Sequence, residues 1–311
     1  MTLDAQKTPA LSVPEPGPRM SQVAWLALIA VYILWGSTYL GIHYAIESIA
    51  PLWSAALRFL LAGLILAAFL AVRGGPSVLR VTRRELLSAA LIGLLLLLGG
   101  NGGVSLAEQY IPSGLAALLV SSVPLWIVLW RAAAKDRPSL RTSAGVLIGF
   151  AGLIVLTRPS GGTGHDFALG VALVIGGSLC WSFGSVASKA WLTPPHNPFV
   201  SSVYQMLFGG IGCAIAAPLS GEHLALGAIT GTSALALLYL VAAGSLIAYC
   251  SYVWLLHNAP IGIVATYAYV NPVVAVGLGA LFLGESITGT MLVGGIVVVL
   301  GVVVVIATER R

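Results

Sequence analysis

The side chains in this sequence best suited to chemistry are neutral hydrogen-bonding and aromatic groups set inside long apolar runs. Thr266, Tyr267, Tyr269 and Asn271 stand just before Pro272. A proline inside a helix frees the carbonyl four residues back, here near Ala268, and neighbouring side chains or water must then satisfy it. Trp35, Tyr39 and His43 recur at every fourth residue, so they share a helix face, with Thr38 beside them. Ser178, Ser182, Ser185 and Lys189 form a second polar stripe, wasteful against lipid unless the hydroxyls bond back to their own helix. His43 and Lys189 lie at span ends, where interfacial anchoring is the expected role. The aromatic hydroxyls and amide just before Pro272 are the best candidates for contact with a solute. A zwitterionic or amphiphilic solute suits them.

Asn101 is embedded among Gly99, Gly100, Gly102 and Gly103. Glycines let backbones approach closely or bend, whereas an amide in hydrocarbon is costly without a partner or a wet cavity. Two readings stay open: a packing seam with Asn101 bonded to a neighbouring helix, or a hinge lining a cavity. The aligned Tyr249, Cys250 and Ser251 of the second half favour the cavity. Pro124 repeats the arrangement of Pro272, freeing the carbonyl near Val120 beside Ser121 and Ser122. The two prolines are expected to be hinges.

Arg58 is the one formal charge inside the apolar spans, about seven residues, or roughly 10 Å, below the outer end of its helix. It is read either as a clamp on loop carbonyls or on a carboxylate such as Glu47 or Glu108, or as a counter-charge for a substrate carboxylate. No buried Asp or Glu is expected within a span to relay protons.

The elements that must position these groups follow from composition. Of 311 residues, 58% are hydrophobic and 8% charged, which excludes a soluble globule. Ten spans of about 20 residues are expected near 23–42, 51–72, 86–107, 113–130, 142–157, 168–188, 198–218, 231–256, 261–283 and 287–307. Residues 1–22 read as a disordered cytoplasmic tail without a cleavable signal. Apart from Arg58 and Arg158, all of the 15 Lys and Arg fall on one side if the N-terminus is cytoplasmic, so both termini are expected there, in a multi-pass inner (plasma) membrane protein. The net charge of +5 is then a topology signal, and no nucleic-acid partner is expected.

Punctuating residues recur between the halves. Pro112, Gly114 and Pro124 correspond to Pro260, Gly262 and Pro272, and Gly36-Ser37 to Gly184-Ser185, at one constant offset. Residues 23–158 and 168–308 therefore read as two five-helix repeats joined by a linker, 159–167. Five is odd, so the second copy enters from the opposite face. The expected fold is an all-α integral membrane protein of ten transmembrane helices in two inverted five-helix repeats, with a substrate site where they meet. Gly145 and Gly149, with Gly294, Gly295 and Gly301, mark tight contacts of helices 5 and 10, within the chain or in a possible homodimer.

The segments 33–46, 51–63, 100–125, 180–186 and 265–285, with WGSTY, NPVVA and LGE among them, resemble the EamA branch of the drug/metabolite transporter superfamily, and within it the YedA-like bacterial inner-membrane permeases. The resemblance implies a central cavity and export of amino acids or related small metabolites. After helix 4, where the pattern would repeat LGE, the chain has Lys135-Asp136-Arg137.

The expected function is thus a permease, an exporter working by alternating access, with a small-molecule substrate in a lipid bilayer. The substrate-binding set is Trp35, Thr38, Tyr39, Asn101, Ser182, Ser185, Tyr249, Thr266, Tyr267 and Asn271; the hinges are Gly99, Gly100, Gly102, Gly103, Pro124 and Pro272. The alternatives are a drug or cation efflux pump and an intramembrane enzyme acting on lipid. Against the enzyme, the sequence lacks G-x-S-x-G, H-E-x-x-H and paired buried carboxylates. No cofactor and no metal site are expected: His43 and Glu47 lack a third ligand, and Cys180, Cys213 and Cys250 lie far apart.

Overall fold

The computed structural model describes residues 21–133, 139–156, 165–259 and 261–309. The sequence expectations for the tail, for most of the linker and for Lys135-Asp136-Arg137 lie outside the described residues. Helices occupy all the apolar runs, and no strand occurs among the described residues.

Helix α1 is Gln22–Ile46, started by Ser21, whose hydroxyl accepts from the Ala24 amide. Helix α2 is Pro51–Gly74, with proline at its first turn. Helix α3, Arg83–Ala107, opens on a capping box of Thr82 and Glu85 and widens into a π-helix over Leu94–Gly102. Helix α4, Ser113–Ala133, is interrupted at Ser121 and Ser122, whose hydroxyls donate to the carbonyls of Leu118 and Leu119. Helices α5 (Leu140–Leu156), α6 (His165–Ala190) and α7 (Pro198–Leu219) follow. Helix α8, Gly231–Asn258, carries a second π-helix at Leu240–Tyr249. A short turn, Ile261–Val264, precedes α9 (Tyr267–Leu283), which has Pro272 in its interior, and α10 is Gly289–Glu309.

Among the described residues, seven helices are long and apolar enough to cross a membrane: α1 to α4 and α6 to α8. The apolar parts of α5, α9 and α10, Leu140–Leu156, Val270–Leu283 and Gly289–Val305, are shorter. Their outward residues, such as Leu147, Leu281 and Ile296, are exposed as lipid-facing side chains are.

Glycines set how closely helices approach. A Cβ on Gly63 of α2 would lie 3.0 Å from Leu207 of α7, and one on Gly210 of α7 would lie 2.8 Å from Leu60 of α2. Each helix thus receives the other's leucine. Between α5 and α10 the contact is backbone to backbone: a Cβ on Gly301 would meet the Gly149 amide nitrogen at 2.4 Å, and one on Gly152 the Val298 nitrogen at 2.5 Å. Gly149 of α5 and Gly295 of α10 instead receive leucines of α4, Leu125 and Leu118, so the glycines of this pair are taken up within one chain.

Two carboxylates hold helix starts. Glu222, after α7, accepts from the Leu52 and Trp53 amides at 2.9 and 3.2 Å. Glu285, in the LGE element after α9, accepts from the Ser113 amide and hydroxyl (2.9 and 2.8 Å) and from the Gly114 amide (3.1 Å). Anions at a helix N-terminus satisfy orphan donors and oppose the positive dipole end. Glu285→Ala is expected to lower stability by about 2 kcal/mol, the upper range for a lost cap, measured as thermal unfolding in detergent. An unchanged melting temperature would mean that water replaces the cap.

Candidate functional site

A cavity of about 60 Å³ opens between α1, α3, α4, α6 and α9, so both halves of the chain wall it.

Its aromatic side is one packed cluster. Trp35 meets Trp181 edge-on with ring centroids 5.4 Å apart and Tyr267 at 5.3 Å, and lies 5.0 Å from Tyr252. The Trp35 indole N–H donates to the Gly244 carbonyl in the π-helix of α8 (3.2 Å), and Trp181 donates to the Tyr252 hydroxyl (3.3 Å). Both indoles are therefore fixed in orientation.

The polar lining is neutral. Thr38, Asn101, Ser178 and Asn271 are its amides and hydroxyls, with the Tyr39 and Tyr267 side chains beside them. Thr38 donates to the Trp35 carbonyl at 2.7 Å. With its amide turned to satisfy its neighbours, Asn271 donates to the Tyr32 carbonyl (3.0 Å) and to the Tyr267 carbonyl (3.2 Å), joining α9 to α1. The Ser178 hydroxyl is buried with no protein partner among the described residues. Buried polar groups ordinarily have partners, so this hydroxyl is available to a ligand or water.

Gly100 belongs to the same wall. Its missing side chain faces Trp181, where a Cβ would come within 2.7 Å of the ring, and a Cβ on Gly177 of α6 would meet the Gly100 carbonyl at 3.0 Å. Gly99 faces Cys180, Gly103 the Leu173 carbonyl, and Gly102 Leu52. The glycine run is thus both a packing seam against α6 and, at Gly100 and Asn101, cavity wall.

Of the residues singled out in the sequence, the fold brings Trp35, Thr38, Tyr39, Asn101, Tyr267 and Asn271 to this cavity. Four are placed elsewhere. Ser182 donates to the Leu179 carbonyl and accepts from Trp130, and Ser185 bonds to Tyr252 and to the Trp181 carbonyl. Tyr249 donates to the Gln205 amide oxygen, and Thr266 bonds to Tyr32 and the Ile263 carbonyl. Pro124 follows the interruption of α4, and Pro272 lies one residue past Asn271. Ser178 and Trp181 complete the wall and were absent from the expected set. Trp181 lies in mid-helix, far from the interfacial belts where tryptophan is usual, and that position was a readable signal.

Arg58 is buried, and its partners are neutral. Its Nε–H donates to the Ser245 hydroxyl at 2.8 Å, and Nη1 to the Asn101 amide oxygen at 3.4 Å. Neither Glu47 nor Glu108, the carboxylates considered from the sequence, is among its hydrogen-bond partners. It links the two π-helices.

Glu108, the first residue beyond α3, is an acid that reading the spans alone misses. Glu108 stands one helical turn beyond Val104, its amide donating to the Val104 carbonyl at 3.1 Å; Asn101 and Val104 line the cavity, and Glu108 lies just past that lining. Glu108 is 8% exposed, and neither carboxyl oxygen has a hydrogen-bond partner among the described residues. Burial, and then the Glu285 carboxylate, push its carboxyl well above the usual carboxylate range.

No group of three or more His, Cys, Asp or Glu able to hold a metal occurs among the described residues. The arrangement therefore offers aromatic walls with neutral donors and acceptors, which can embrace an amphiphilic or zwitterionic solute.

The EamA-like transporter family matches the chain twice, at residues 22–158 and 168–307. The "Uncharacterized inner membrane transporter YedA" of Escherichia coli K12 is 42% identical over 264 residues, covering 84% of this chain and 83% of that protein. A "Probable amino-acid metabolite efflux pump" of the same strain is 26% identical, covering 91% and 94%. Its namesake in Salmonella typhimurium is also 26% identical, covering 89% and 92%. A solved crystal structure shares the fold, with a TM-score of 0.69 and 24% identity over 93% of this chain and 99% of that one.

Proposed function

Because this chain belongs to the EamA-like transporter family and is a membrane transporter, we propose that it exports amino acids or related small metabolites by alternating access. The fold that serves this is ten transmembrane helices in two inverted five-helix repeats, 23–158 and 168–308. Both termini are cytoplasmic in the inner (plasma) membrane.

Reciprocal contacts support the inverted repeat. Gly63 against Leu207 and Gly210 against Leu60 are one contact made twice, as are the two glycine approaches of α5 and α10. The π-helices of α3 and α8 recur at the same place in each half. A two-fold axis in the membrane plane gives this pattern. α5, α9 and α10, short as straight apolar helices, then cross where the bilayer thins or where they stand upright.

The observation that carries the substrate class is the neutral, aromatic-walled cavity between the halves, with the Ser178 hydroxyl unpartnered in it. Amides and hydroxyls there suit the ammonium and carboxylate of a neutral amino acid, and the rings suit its side chain. The relatives named as amino-acid metabolite efflux pumps point the same way. The aromatic cluster also favours a second reading, efflux of lipophilic cations held against the rings. Pro124, Pro272 and the glycine run of α3 are the hinges of the cycle in this proposal. A homodimer through α5 and α10 would use their outward faces, since Gly145, Gly149, Gly152, Gly294, Gly295 and Gly301 all meet atoms of the same chain.

A thermal-shift screen of amino acids, sugars, nucleosides and cationic drugs on purified protein, followed by flux in liposomes, tests the substrate class. Stabilisation by cationic drugs alone would replace the amino-acid reading with the second one. For the amino acid that binds, Asn271→Ala is expected to slow transport about tenfold, or about 1.4 kcal/mol, with folded protein recovered in normal yield. Undiminished flux would remove Asn271 from the site.

A further inference from the structure

We propose that Glu108 is a proton-binding site at the outer end of the cavity, through which a proton gradient acts on transport. Its carboxyl is buried, both oxygens lack a hydrogen-bond partner among the described residues, and the residue stands one helical turn beyond Val104, which lines the cavity. An ionised carboxylate in such a place carries the full desolvation penalty with nothing to offset it, so the group takes up a proton instead. The step is simple: one carboxyl oxygen gains a proton from water, and releases it when the site is hydrated.

The surroundings reinforce this. Glu285 accepts from three donors at the start of α4, and its carboxylate opposes a second charge at Glu108. Tyr39 of α1 lies within electrostatic reach of Glu108 and also lines the cavity. Ionisable groups on the neighbouring segments at this end include His43 and Tyr44 of α1, Glu47 just after it, Tyr110, which packs against the first turns of α6, and Asp166 in the first turn of α6. When Glu108 ionises, its new charge requires water or a cation at the cavity's outer end.

The coupling half of this inference rests on the transporter reading; the protonation half does not. Infrared difference spectra of the reconstituted protein are expected to show the carbonyl stretch of a protonated carboxylic acid at pH 7. The band should be lost in Glu108→Gln, whose neutral amide preserves the shape. A wild-type spectrum without the band, or a band that persists in the variant, overturns the proposal. In liposomes, flux of labelled L-leucine is measured with and without an imposed pH gradient. The wild-type ratio should be several-fold, and the Glu108→Gln ratio near one whatever rate remains. Equal ratios in the two proteins would overturn the coupling. If neither protein moves leucine, the amino-acid reading fails for that solute, while the infrared result still decides Glu108.

The same group gives a pH signature in stability. A carboxyl raised on folding leaves stability intact below the ordinary carboxylate range and erodes it as pH rises through the elevated value, because only the unfolded chain ionises freely. Melting temperature should therefore fall with rising pH more steeply in the wild type than in Glu108→Gln.

Discussion

Leucine in place of Gly100 should abolish transport, with flux of the solute found by the thermal-shift screen falling at least about 100-fold, equivalent to about 2.7 kcal/mol. The reason is local and has little slack. A Cβ at this position would lie 2.7 Å from Cε3 of Trp181 and 3.4 Å from its Cβ. Trp181 cannot swing aside cheaply, because its indole donates to Tyr252 and its ring packs against Trp35. The leucine must either enter the cavity or push α6 away from α3. The second route breaks the approach of Gly177 to the Gly100 carbonyl, where a Cβ would already sit at 3.0 Å. Alanine imposes the same first contact with less bulk, so Gly100→Ala is expected to cost about 1–3 kcal/mol of stability, as overpacking does. Gly176 provides the control: nothing lies within 4 Å of a Cβ there, so Gly176→Ala should leave flux and melting temperature unchanged. Full activity in Gly100→Leu would mean that solute does not pass this wall.

That wall was half legible in the sequence. Glycine beside an amide in an apolar run marks either a seam or a cavity, and the structure makes it both. Periodicity supplied the α1 stripe, because α1 is a regular helix and a spacing of four keeps its face. It was less useful on α3 and α8. Each π-helix spends extra residues per turn, so faces counted at 3.6 residues drift beyond it. Tyr249 ends the π-helix of α8 and turns to Gln205 of α7, away from the cavity. Ser182 and Ser185 failed for another reason. A hydroxyl stripe records that a helix face is polar inside protein, but whether helix or solute takes the bond depends on what lies opposite. Trp130 and Tyr252 lie opposite these two, and empty space lies opposite Ser178. Glu108 escaped because acids at helix ends are ordinarily wet, and only tertiary packing dries this one. The positions of the apolar helices, by contrast, depend on composition over about 20 residues, which tertiary contacts do not alter.

Arg58→Gln should separate the structural from the functional meaning of the buried charge: Michaelis constants for a carboxylate-bearing solute should rise about tenfold, while stability stays within about 1 kcal/mol. The repeat supplies the rationale. Between α2 and α7 the halves align one residue earlier, pairing Gly63 with Gly210 and Arg58 with Gln205, while Asn101 corresponds to Tyr249 at the offset of the prolines. In one half Arg58 donates to Asn101, and in the other Tyr249 donates to Gln205, so the same crossing is made twice. The fold therefore already accommodates glutamine at this position. Losing the guanidinium forfeits charge-assisted bonds to Ser245 and Asn101, but it also removes the cost of holding a cation in a dry interior, and the two effects offset. What has no counterpart in the second half is the charge itself. It is held against Asn101, whose amide lines the cavity, and a positive potential there favours the carboxylate end of a zwitterion. Arg58→Lys keeps that charge without the planar fork, so it should recover most of the lost affinity. A drop of several kcal/mol in stability with an unchanged Michaelis constant would instead make Arg58 a clamp between the two π-helices and leave solute recognition to the neutral groups.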